Sequence, residues 1–161
     1  MNNIIKKIIR ILAIDPSGTG TTGICLIIGS EIIFLKCENK DWKEHFKRIL
    51  GLVKEYSIDI VVYEINNYVG PVNRGKDIIN LLKLFATIET LAYYFPGLKV
   101  FTVPAKQTQQ MKEQILNKKK AISGINYQRG KGWTYKNNII SVHELDAFLT
   151  YWIWKGNNYK L

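Results

Sequence analysis

Ile8-Ile9-Arg10-Ile11-Leu12-Ala13-Ile14-Asp15-Pro16-Ser17-Gly18 is the stretch that decides the fold. The run Ile8 to Ile14 is dominated by β-branched residues and closes on a carboxylate and a Pro-Ser-Gly turn, which predicts a strand running into a turn. Downstream, Gly23 to Ile28 and Glu31 to Lys36 predict two more strands, joined as a hairpin by the tight Gly29-Ser30 turn. Asp41 to Tyr56 has helical spacing, with Trp42, Phe46, Ile49 and Val53 on one face. Ile58 to Ile65 is a short apolar strand carrying Glu64 at its end. Lys76 to Phe95 is a long helix stopped by Pro96-Gly97, and Leu98 to Val103 is a strand before Pro104. Gln107 to Lys120 predicts a polar helix, and Ser141 to Lys155 a last helix ended by Gly156. Three antiparallel strands followed by alternating units imply an α/β fold: one mixed five-stranded sheet, three antiparallel then parallel strands, flanked by helices.

The 161 residues suit one domain, 1–161, long enough to bury a core without staples. A hydrophobic share of 47% against 22% charged residues excludes a disordered chain. Cys25 and Cys37 are too few for a disulfide framework or a four-ligand zinc site, and read as core thiols in a reducing compartment. Lys6, Lys7 and Arg10 break the start of the chain, which leaves no signal h-region or membrane span. The expectation is a cytoplasmic protein.

The net charge of +10 favours a polyanionic partner, nucleic acid first. Most of it comes from residues 106–136, where Lys106, Lys112, Lys118, Lys119, Lys120, Arg129, Lys131 and Lys136 face Glu113 alone. Tyr127, Trp133 and Tyr135 lie in the same segment among glycines. Basic groups release counterions from phosphates and aromatic rings stack on exposed bases, so the segment reads as a DNA contact; a solvated loop is the plainer alternative. The helix from Lys76 to Phe95 is apolar around well over half its circumference, though Glu89 falls inside the arc; that is more than one sheet requires, and a homodimer is the simplest use of the surplus, with a helix sandwiched within one domain as the alternative.

Asp15 ends the first strand and Glu64 the fourth, so both project at the edge where open α/β sheets bind ligands. Taken alone, each has a plainer reading, as a common turn or a paired surface charge. Thr19, Thr21, Thr22 and the neighbouring glycines would let the backbone approach a phosphate. His143 and Asp146, spaced i, i+3, share a helix face at the rim of the apolar stripe, whereas Ser141 and Glu144 fit a capping box. Convergence of Asp15, Glu64, His143 and Asp146 is unfavourable without a cation between them. Such a donor set suits magnesium or manganese, and two ions about 4 Å apart can activate water and stabilise a leaving oxygen.

These residues resemble a known pattern. Ile11-Leu12-Ala13-Ile14-Asp15-Pro16-Ser17, the Tyr63-Glu64 strand end, Val103-Pro104 before a basic helix, and His143-Glu144-Leu145-Asp146-Ala147 resemble the RuvC-type Holliday junction resolvases of the ribonuclease H-like nuclease superfamily. The resemblance runs over most of the chain. It implies that Asp15, Glu64, His143 and Asp146 are catalytic metal ligands for two Mg2+ ions, with Mn2+ able to substitute. It also implies a homodimer with two active sites over four-way DNA. It points to Tyr68 as an aromatic wedge at the junction centre and to Lys112, Lys118 and Lys119 as DNA-binding, beside Lys120, Arg129 and Lys131 of the basic segment. The long aromatic insert from Gly124 to Asn138 and the Thr-rich turn after Asp15 mark a divergent, phage-type member.

The expected activity is paired symmetrical hydrolysis of a four-way junction, leaving 5′-phosphate and 3′-hydroxyl ends. The alternatives are a debranching endonuclease of the same fold acting on flaps and forks, a junction-binding protein that does not cut, and an actin-like ATPase. The last is disfavoured by the chain's length and by the lack of a second phosphate loop.

Overall fold

The computed structural model describes residues 8–66 and 75–158. Five strands form the main sheet: β1 (Arg10–Asp15), β2 (Thr21–Ile28), β3 (Glu31–Glu38), β4 (Ile60–Ile65) and β5 (Lys99–Pro104). Their order is β3-β2-β1-β4-β5, with β1–β2–β3 antiparallel and β1–β4–β5 parallel. The mixed α/β sheet expected from the sequence is therefore present.

The central strand shows why its sequence is a continuous apolar run. Side chains alternate across a strand, so Leu12 and Ile14 enter one core cluster while Ile11 and Ala13 enter the other. On the Leu12 face lie α1 (Trp42–Glu55) and α2 (Gly75–Tyr94). On the Ala13 face lies α4 (Val142–Asn158), with Leu145, Phe148 and Leu149 fully buried, and α3 (Ala105–Leu116) packs beside it through Met111 and Ile115. Asp41 caps α1 by accepting a hydrogen bond from the Lys43 amide at 3.0 Å.

Three expectations need correction. The polar helix stops at Leu116, not Lys120: Lys118 takes a left-handed φ of 55°, and the Lys119 and Lys120 amides bond back to the Gln114 carbonyl. The last helix runs through Gly156 to Asn158, where the Asn158 side-chain amide donates to the Trp154 carbonyl at 2.8 Å, and an isolated glycine costs only about 1 kcal/mol. The insert from Gly124 to Asn138 is not irregular. It forms a second antiparallel sheet, β6 (Ile125–Gln128), β7 (Gly132–Tyr135) and β8 (Asn138–Ile139).

Of the two thiols, Cys25 is in the core and burial pushes its pKa up, whereas Cys37 is only half-buried. On α2, Leu84, Phe85, Ile88 and Leu91 face the sheet, while Ile79 and Leu82 remain 53% and 57% exposed. No helix among the described residues is long and apolar enough to cross a membrane.

Candidate active site

Strand period places the first two carboxylates. β1 and β4 are parallel neighbours in register up to Ile14 and Tyr63, so Asp15 and Glu64 follow as the next residues on adjacent strands. Ile14 and Tyr63 face the α1/α2 core, so the residues after them face α3 and α4. The helices supply the rest. Ser141 and Glu144 form the expected capping box, with Ser141 N–H donating to Glu144 Oε2 at 2.7 Å and Glu144 N–H to Ser141 Oγ at 3.2 Å. That fixes the first turn of α4, which presents His143 and Asp146.

Gly23 lets this turn reach the sheet. It pairs with Asp15 across the β1–β2 ladder, and a Cβ added there would lie 2.0 Å from the His143 carbonyl oxygen. The absent side chain is the space into which α4 docks. Gly18 plays the matching part for α2, since a Cβ would meet the Leu81 amide nitrogen at 2.5 Å. These two glycines near Asp15 thus serve helix packing rather than a phosphate.

The threonines after Asp15 are also engaged within the protein. Thr19 donates to Asp77 at 2.9 Å. Thr22 is fully buried; its hydroxyl oxygen accepts the Ser17 amide at 2.9 Å and meets His45 Nδ1 at 2.8 Å. His45 Nε2 donates to the Asn39 carbonyl at 2.9 Å. A buried polar chain, Asn39–His45–Thr22–Ser17, therefore holds the turn that follows Asp15.

At the site itself, His143 Nδ1 donates to Asp15 Oδ2 at 2.8 Å. Lys112 Nζ donates to Asp146 Oδ2 at 2.9 Å and stands 2.8 Å from Oδ1. Thr108 donates to Glu64 Oε2. Burial, and then the charge of Asp15, push the Glu64 carboxyl up to about 7, against the Thr108 hydrogen bond and with a smaller push from Asp146. Burial also raises Asp146, opposed by Lys112, and the hydrogen bond to Asp15 raises His143.

The structure thus joins Asp15 directly to His143, couples Asp15 electrostatically to Glu64 and Asp146, and couples His143 to Asp146, at one edge of the sheet. Among the described residues, no three His, Cys, Asp or Glu side chains are gathered into a metal-holding group. The side chains form three pairs instead. The donor set still fits a hard divalent cation: three carboxylates and one imidazole, with Glu64 driven towards its protonated form by burial and then by the charge of Asp15.

Lys112, one of the residues expected to bind DNA, lies at this site, half-buried against Asp146. Lys118, Lys119, Lys120, Arg129 and Lys131 are exposed and stand outside the carboxylate pairs. Tyr68 lies outside the described residues. Sequence reasoning missed Thr108 and the packing role of Gly23. Thr108 lies within the predicted polar helix but carries no motif; Gly23 was visible only as a glycine inside an apolar strand, a sign of close backbone approach.

No protein-family model matches the chain, and no curated protein matches it in sequence. Solved structures do. RuvC from Thermus thermophilus in complex with a Holliday junction substrate superposes with a TM-score of 0.62 at 12% identity, over 92% of this chain and 96% of that one. A second Thermus thermophilus RuvC structure gives 0.57 at 16% identity, over 88% and 90%. At such identities the likeness is one of architecture: the chain has the ribonuclease H-like fold of the RuvC-type Holliday junction resolvases.

Proposed function

We propose that this chain is a metal-dependent DNA endonuclease that resolves four-way junctions by paired phosphodiester hydrolysis, leaving 5′-phosphate and 3′-hydroxyl ends. The observation that carries the reading is the Asp15–His143 bond at one sheet edge, with the charges of Asp15 and Asp146 both felt at Glu64, on the fold shared with a RuvC bound to a Holliday junction. These four residues would hold two magnesium ions, with manganese able to substitute. The ions would polarise the phosphate and lower the pKa of the attacking water.

The chain's own groups do the remainder. Thr108 occupies Glu64 Oε2, which leaves Oε1 to orient the water. The Asp15 bond turns the His143 ring so that Nε2 faces away from the carboxylate and can act as a donor atom. Lys112 brings a positive charge to Asp146, within reach of the charge that develops on the pentacovalent phosphate.

A junction presents two strands to cut, and a homodimer would supply two sites. The exposed Ile79 and Leu82 on α2 offer an apolar stripe for that pairing. The residues and charge support a DNA partner.

The test is cleavage of labelled four-way, three-way and linear DNA with magnesium, beside Asp146→Asn. Symmetrical cuts confined to the four-way substrate and lost in the variant support the reading. Equal cutting of flaps, forks and junctions would mean a debranching endonuclease. No cutting of any DNA in magnesium or manganese would end the enzyme reading.

A further inference from the structure

The insert between α3 and α4 is a built element with one end in the core and one end free. At its root, Ile125 and Ile140 are buried, and the Tyr135 ring packs at 5.1 Å on Phe34 and 5.8 Å on Phe148. Ile125 pairs with Tyr135, so the next cross-strand pair on that face, Tyr127 with Trp133, continues it outward. Their rings lie 5.1 Å apart at 59°, and Tyr127 remains 45% exposed. Beyond them the hairpin closes through a Lys131 N–H to Gln128 carbonyl bond, with Arg129 and Lys131 exposed at the tip.

The charge here has nothing to offset it. Residues 114–143 contain six Lys or Arg and no Asp or Glu. Among the described residues neither Arg129 nor Lys131 makes an ion pair. An exposed tyrosine ring followed at once by two unpaired cations, on a rigidly rooted ribbon, is a surface complementary to phosphate and base together.

We propose that the β6–β7 hairpin is a DNA-holding finger for a strand with unpaired bases: Arg129 and Lys131 meet its phosphates and the outer face of Tyr127 stacks on a base. Paired bases stack on one another and offer no free ring face, whereas an unpaired base does. Such bases occur where strands exchange at a branch, and here the inference rests on the junction reading above. The hairpin also joins α3, carrying Thr108 and Lys112, to α4, carrying His143 and Asp146. A strand held on it is gripped by the chain segment that builds half of the cutting site.

The test is fluorescence anisotropy of labelled oligothymidine, blunt duplex and a four-way junction, in EDTA so that binding is read without cleavage. Tyr127→Ala should weaken oligothymidine binding about 5- to 150-fold, while Tyr127→Phe, which keeps the ring, should bind like the parent. Duplex affinity should be unmoved by Tyr127→Ala. The double variant Arg129→Ala/Lys131→Ala should lower the slope of log affinity against log salt by about 1.4 on oligothymidine, two phosphate contacts' worth. Equal loss on duplex and single strand, an unchanged salt slope, or parental binding by Tyr127→Ala would overturn the finger. Loss of single-strand binding in a protein that cuts no DNA would keep the finger and remove the nuclease reading; the reverse result would remove only the finger.

Discussion

Replacing Gly23 by alanine tests how the site is assembled. The added Cβ would lie 2.0 Å from the His143 carbonyl oxygen, 2.2 Å from its carbon and 2.8 Å from the Glu144 nitrogen. All three are backbone atoms, so no side chain can swing away. Real Cβ contacts stay beyond about 3 Å, so the first turn of α4 must retreat by about 1 Å or more. Because Gly23 pairs with Asp15, that retreat acts on the 2.8 Å His143–Asp15 bond and stretches it beyond hydrogen-bonding range. A misplacement of this size costs roughly 100-fold in rate, and overpacking costs about 1–3 kcal/mol in stability. Single-turnover cleavage of a four-way junction measures the first effect and urea unfolding the second. A Gly23→Ala protein with parental rate and stability would refute the claim that this glycine seats the helix.

Other expectations follow from the same geometry. Glu64 is raised to about 7 in the folded protein, above its unfolded value near 4.3, so the stability it contributes is fully present below that unfolded value and is lost as pH rises through about 7. In EDTA, Glu64→Gln should therefore match the parent at pH 4 and exceed it by about 3–4 kcal/mol at pH 8 in urea titrations; a constant difference across that range would contradict the burial argument. Gly51 sits exposed inside α1 with nothing within 4 Å of a new Cβ, so Gly51→Ala should stabilise by about 1 kcal/mol in the same assay without changing cleavage. His45→Phe should cost about 1–3 kcal/mol, because the buried Thr22 hydroxyl loses its ring partner and the Asn39 carbonyl its donor. Parental stability in His45→Phe would show that the turn after Asp15 does not depend on that chain.

The main sheet was readable because each strand announces itself twice. β1 and β4 carry apolar runs buried on both faces, Ile11–Ile14 and Ile60–Tyr63, each followed at once by a carboxylate. The capping box at Ser141 and Glu144 located the start of α4, and with it His143 and Asp146. The pairing inside the site was not readable. That Lys112 falls on Asp146 depends on how α3 lies against α4, a tertiary packing angle with no local signature. The β6–β8 sheet was missed because its strands are short and its lysines and asparagines mask the alternation of Ile125 with Tyr127 and of Trp133 with Tyr135. The end of α3 was misplaced because three consecutive lysines are good helix formers, and only the left-handed turn at Lys118 reveals the stop.

The two helices that line the candidate site differ in how deeply they are embedded. From Leu145 to Trp154, α4 is buried along most of its length, whereas Thr108 alone is buried on α3. Amide protons along α4 will exchange with solvent only when the whole molecule opens, while α3 can detach through cheaper, partial excursions. His143 and Asp146 thus ride on the stiff jaw of the cleft, and Lys112 and Thr108 on the compliant one. On the proposed reading, a bound DNA strand would shift the α3 side first, and through Lys112 on Asp146 and Thr108 on Glu64 that shift would reach the carboxylates.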